Sequence, residues 1–208
     1  MMNMYIKNKF RNIRINNVFL IITIAFLLTG VILGVNSVSY TKGNTADLNS
    51  YFKELFTFVS SRDISYKEVL LSSILSNLTM FMLIFILGNW ALGSPFVFLI
   101  MLFKGYMIGY TFTVFIQMFS VKGLCISLVG IIPQNLIYIP CFIVLAAIAA
   151  SHSYDKLKNK FQKISKTDFI NEYVNASLAI AVPIVAAIII ETFLMPYILK
   201  MVIVKLNI

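Results

Sequence analysis

A chain of 208 residues that is 60% hydrophobic and only 12% charged, with a mean hydropathy of +0.90, lies far outside the composition of a soluble globular domain. The net charge of +9 would suggest nucleic acid in a soluble protein, but here the basic residues cluster in short segments beside apolar runs, the pattern that writes membrane topology. The expected fold is therefore an all-α polytopic membrane helix bundle in one domain, with no nucleic-acid partner.

Residues 1–17 hold Lys7, Lys9, Arg11 and Arg14 without an acid and lead into an apolar run from Val18 to Val35. A secretory signal would have an apolar region of only ~7–15 residues followed by a small-x-small site. This run is longer, and Gly34-Val35-Asn36-Ser37 fits such a site poorly, so it reads as a first span over about 18–38 with the amino terminus in the cytoplasm. Gly30 and Gly34 share a face and permit close helix approach. Packing inside the same chain is their commoner use, although they also admit a homo-oligomer seam.

Residues 41–67 make the largest outer loop. Leu48, Tyr51, Phe52, Leu55, Phe56 and Val59 recur at helical spacing, with Asp47, Lys53 and Glu54 on the other side. The spacing predicts an amphipathic helix at the outer membrane interface. Leu48, Phe52, Leu55 and Phe56 are its candidates for docking an extracytoplasmic partner, the alternative being that they simply cover the bundle. Ser65-Tyr66-Lys67-Glu68 then has capping-box spacing for a helix that follows.

A hairpin of two spans comes next, about 69–92 and 95–119, joined by Gly88-Asn-Trp-Ala-Leu-Gly-Ser-Pro95. Each arm reaches the ~20 residues needed to cross a ~30 Å hydrocarbon core. Asn77 and Lys104 sit inside these arms, where a polar group is costly unless it faces other helices or water. Gly105 and Gly109 repeat the small-x-x-x-small pattern and predict a second close helix contact.

The fourth span, about 124–150, contains Pro133, Gln134, Asn135 and Pro140. Prolines remove helical hydrogen bonds, and the freed carbonyls must find partners inside the bundle, which Gln134 and Asn135 can supply. Cys125 and Cys141 fall in the same expected span, too far apart to bond each other, and read as small packing residues. Residues 151–173 carry Lys156, Lys158, Lys160, Lys163 and Lys166. With Leu157, Phe161 and Ile164 they form a basic cytoplasmic loop helix suited to anionic lipid. His152 reads as interfacial.

The fifth span, about 174–199, holds Pro183, Glu191 and Pro196, and the carboxyl terminus would lie outside. Glu191 is ~12 Å deep by helical rise. Counting depths in this way brings Asn77, Lys104, Asn135 and Glu191, with Gln134 beside them, into one polar cluster in the outer half of the bundle. Lys104 and Glu191 are expected to pair there, directly or through an asparagine or water.

Catalytic constellations are missing from the sequence. It has no phosphate-binding glycine loop, no G-x-S-x-G and a single histidine, and its intramembrane acid has no second carboxylate with which to share acid and base work. No catalytic residues, cofactor or metal are expected.

Asn77 before an apolar run, Gly88 and Gly93 at the turn, Lys104-Gly105 with Gly109, Pro133-Gln134-Asn135 with Pro140, and Glu191 with Pro196 together resemble stage II sporulation protein M over nearly the whole chain. The resemblance implies a non-enzymatic membrane scaffold in the mother cell of endospore-forming bacteria. It would bring the peptidoglycan-degrading stage II sporulation proteins D and P to the asymmetric septum for septal thinning and forespore engulfment. The alternative is a transport or flippase-like subunit in which Lys104, Glu191, Asn77 and the kinked fourth span line a wet path.

Overall fold

Apolar runs of this length can satisfy their backbone polar groups in lipid only by coiling into helices. The computed structural model of the chain, which describes residues 17–40, 66–159 and 166–206, contains five such helices: α1 (Asn17–Tyr40), α2 (Tyr66–Gly88), α3 (Gly93–Gly130), α4 (Ile132–Asn159) and α5 (Lys166–Leu206). Each is long and apolar enough to cross a membrane. The fold is a polytopic helical bundle. The expected amphipathic helix with Leu48, Phe52, Leu55 and Phe56 lies outside the described residues, as do Lys160 and Lys163.

The broadest helix contact joins α1 to α3, and its sequence cause is the two glycine pairs. A Cβ on Gly30 would strike the Leu102 carbonyl, and one on Gly34 the Tyr106 carbonyl; in return, a Cβ on Gly105 would strike Leu27 and one on Gly109 would strike Val31, again at the carbonyl oxygens. The two G-x-x-x-G faces therefore meet each other within one chain. Without side chains between them the backbones come close enough for dispersion to act along both helices, and in lipid such packing supplies much of the association energy. Phe98 continues the seam toward one end, stacking with Phe19 at 6.4 Å and Phe26 at 5.3 Å between ring centroids.

The central helix is α4. In its apolar stretch 61% of residues are buried, against 22–24% in the other four. Ala146, Ala147, Ala149, Ala150 and Ser153 have no exposed surface, and such small residues let neighbours approach from several sides. The chain end of α4 also ties down the α2–α3 turn. Ser153 Oγ donates to the Trp90 carbonyl at 2.7 Å and accepts the Ser94 N–H at 2.9 Å, while Lys156 Nζ donates to the carbonyl and side-chain oxygens of Asn89 at 2.7 and 2.9 Å. Lys156 thus holds a turn in place, and it is not simply presented to lipid.

Beside this turn, α5 contributes Tyr173, whose hydroxyl donates to the Phe85 carbonyl at 2.9 Å and whose ring lies between Phe85 and His152 at 5.4 and 4.3 Å. Gly88 leaves room for that hydroxyl. His152 is buried against the Tyr173 ring, in an α4 that continues helically to Asn159.

The expected fourth span is divided in the structure. Within α3 the chain turns at Ser120, which has φ 50° and ψ −124°, and residues 121–130 form a short arm that passes so close to the preceding one that Gly123 sits against the Phe115 carbonyl. A second break follows at Ile131 and α4 begins at Ile132. Pro133 explains that start, because a missing N–H is tolerated in the first turn of a helix and not in its middle. Cys125 and Cys141 therefore belong to different helices.

Two outcomes follow from these backbone features. Gly30→Leu or Gly105→Leu should abolish accumulation of folded protein in membranes, whereas Gly→Ala at either should weaken it less; leucine variants that accumulate and melt like the parent would contradict the contact. Ser120 occupies a conformation that costs a non-glycine residue about 1–3 kcal/mol, so Ser120→Gly should raise stability by about 1 kcal/mol after glycine's own entropic cost. Thermal melting in detergent checks this, and a lower melting temperature for Ser120→Gly would contradict it.

Candidate functional site

Four helices contribute polar side chains at one level of the bundle. On α2 these are Ser72, Ser73, Ser76 and Asn77. On α3 Lys104, Met107, Ile108 and Thr111 recur with helical periodicity, as do Ile131, Gln134, Asn135 and Tyr138 around the start of α4, and α5 adds Glu191. Together they line an open pocket of about 250 Å³. Asn77 and Lys104 both lie eleven residues from the turn that joins their helices, which places both Cα atoms ~16 Å from that end. The five residues expected to cluster, Asn77, Lys104, Gln134, Asn135 and Glu191, are thus brought to one wall-lined space.

The pairing inside it involves a residue that depth counting overlooked. Tyr138 Oη donates to Glu191 Oε2 at 2.6 Å, with Tyr138 buried and stacked on Phe142 at 6.2 Å. Lys104 Nζ stands 5.7 Å from the centroid of the same Phe142 ring, within the range of a cation–π contact. The carboxylate's close donor is a phenol from α4, and the ammonium rests on an aromatic face nearby. Tyr138 was discoverable: it stands four residues after Gln134 and three after Asn135, and so on their helix face.

The two asparagines are anchored to their own helices. Asn77 Nδ2 donates to the Ser73 carbonyl at 3.2 Å, and Asn135 Nδ2 to the Ile131 carbonyl at 2.8 Å. The second of these satisfies an oxygen at the very break that precedes α4. Both amides are held in position by local bonds that lipid cannot compete with.

Chemically, the pocket offers one amine, one phenol-bound carboxylate, amides and hydroxyls. Among the described residues no group of His, Cys, Asp and Glu could hold a metal ion. Such a lining can bind and orient a polar group. It lacks a second carboxylate to share a proton with Glu191 in the manner of acid–base pairs.

The sequence model of the family described as Stage II sporulation protein M matches residues 23–196. This chain belongs to that family. The match runs from α1 into α5, so the glycine seam, the turn and every residue of the polar pocket fall within the stage II sporulation protein M region. Family membership and five membrane-spanning helices make this a sporulation-related multi-pass membrane protein. No curated protein and no solved structure matches it.

Removing the Tyr138 hydroxyl leaves a buried-side carboxylate short of a donor. Tyr138→Phe should lower stability by about 1–2 kcal/mol, the scale of interhelical hydrogen bonds in membranes, and the same change should cost much less in a Glu191→Leu background. A double-mutant cycle followed by unfolding in mixed detergent measures the coupling. Additive losses would contradict the bond.

Proposed function

We propose that the protein is a non-enzymatic membrane scaffold of sporulation that holds stage II sporulation proteins D and P at the asymmetric septum, on the mother-cell side, so that septal peptidoglycan is thinned and the forespore engulfed. The observation that carries this reading is the family match across all five helices. The pocket supports it through its chemistry, since one ammonium over a phenylalanine and one carboxylate bound by a tyrosine suit binding better than proton transfer. The basic segment before α1 supports a cytoplasmic amino terminus.

In this reading the outer loop meets the partners through Leu48, Phe52, Leu55 and Phe56. Anionic lipid on the cytoplasmic side is the partner proposed for Lys158, Lys160, Lys163 and Lys166, with Lys156 occupied by the turn.

Deleting the gene in its native host should leave septa thick and flat by electron microscopy during sporulation, and the wall-degrading partners should spread away from the septum. Purified protein should leave peptidoglycan intact. Normal thinning in the deletion strain, or peptidoglycan cleavage by the purified chain that one substitution abolishes, would overturn the proposal.

A further inference from the structure

Lys104 stands ~16 Å from the turn by helical rise, near the midplane of a ~30 Å hydrocarbon core, the level at which an unpartnered charge is most costly. Among the described residues its Nζ has no hydrogen-bond or ion-pair partner, and its contact is the face of Phe142, 5.7 Å to the centroid. An ammonium carries several N–H donors. A cation–π contact leaves them without an acceptor oxygen.

The acceptors around it are in the same condition. Glu191 takes the Tyr138 hydroxyl on Oε2, and Asn77 and Asn135 each spend an N–H on their own helix. Among the described residues this leaves Glu191 Oε1 and both asparagine Oδ1 atoms without a donor. None of these atoms is sealed inside the protein, and every one belongs to a residue that lines the pocket. In lipid, polar atoms so placed must find partners within the bundle.

Whatever fills this space has to accept from Lys104 and donate to Glu191, Asn77 and Asn135. A metal cation donates no hydrogen bond and would meet the ammonium as a like charge, while a simple anion would meet the carboxylate in the same way. Water accepts and donates. Its share of the liquid is ~30 Å³ per molecule, so a pocket of about 250 Å³ holds several. Each needs about 2–4 polar partners, which this lining supplies. The reasoning is the same whichever side of the bundle the pocket opens on, because buried waters are ordinary occupants of polar cavities.

We propose that the pocket is a hydrated site in the middle of the membrane, in which several bound waters link Lys104 Nζ to Glu191 Oε1 and to the side-chain carbonyls of Asn77 and Asn135. The waters keep both charges solvated within lipid and join α2 and α3 to the Tyr138–Glu191 pair of α4 and α5. This inference goes beyond the scaffold role and stands independently of it.

Uniformly isotope-labelled full-length protein is placed in lipid bilayers, and solid-state NMR follows magnetisation that starts on water protons. The carboxamides of Asn77 and Asn135 should gain signal at the rate of exposed Asn89 and well ahead of the methyl group of fully buried Ala149. Ser73→Leu fills the pocket from its wall and should abolish the transfer to Asn135 while Asn89 keeps its rate. Ser76→Phe, made at an exposed lining position, should do the same, so the test survives if Ser73→Leu fails to fold. Carboxamides that follow Ala149 in the parent would overturn the site, as would transfer to Asn135 that persists in the filled variants. Transfer to Lys104 Nζ from lipid phosphorus would also overturn it, because a phosphodiester would then stand where the waters belong.

Discussion

The direct backbone approach of α1 and α3 at Gly30, Gly34, Gly105 and Gly109 sets the geometry on which the rest of this bundle depends. In lipid no hydrophobic drive selects one helix pair over another. Four positions without side chains, arranged as two facing pairs, are what make this pair the closest. Once α3 is committed to α1, it is unable to lie along α2 as well, and the hairpin arms separate beyond their shared turn. The polar pocket occupies the space so produced. Seam and site are two results of one packing choice.

Separation at one level requires a firm hold at another. At the turn, Asn89, Trp90 and Ser94 are bonded to Ser153 and Lys156 of α4, and Tyr173 of α5 closes on Phe85 and Gly88. These bonds satisfy carbonyls and N–H groups that a helical hairpin leaves open. The small residues on α4 let the surrounding helices reach it. Farther from the turn, the same helices present Asn135, Tyr138 and Glu191, so α4 passes from a packed, alanine-lined half to a polar half. A binding site and its rigid support are thereby built on the same elements.

Much of this was legible in the sequence, for identifiable reasons. Apolar runs of spanning length declare the helices, and counting ~1.5 Å per residue from the turn brings Asn77 and Lys104 to one height. Periodicity marks Gly30 with Gly34 and Gly105 with Gly109 as smooth faces, but a smooth face carries no information about which other face it meets. That pairing is a tertiary fact. Residues 120–123 read as a simple loop, whereas the structure makes a tight turn at Ser120 with a positive φ, a position where sequence statistics expect glycine. Pro133 reads as a kink within a long span because its distance from a helix start could not be judged before that turn was located. Tyr138 escaped notice because an aromatic residue in an apolar run normally signals packing, and only Glu191 arriving from α5 turns its hydroxyl into a donor.

The central claim is that α1 and α3 pair within one chain, and cross-linking in membranes tests it most directly. Phe26 and Phe98 stack at 5.3 Å across this seam. In a Cys125→Ser, Cys141→Ser background, cysteines at positions 26 and 98 of the same chain should be joined by a short bifunctional thiol reagent into a product that runs as a monomer and yields a linked α1–α3 peptide on proteolysis. A cross-link found only between two chains would show that the glycine faces meet across copies and would contradict this account of both the seam and the pocket.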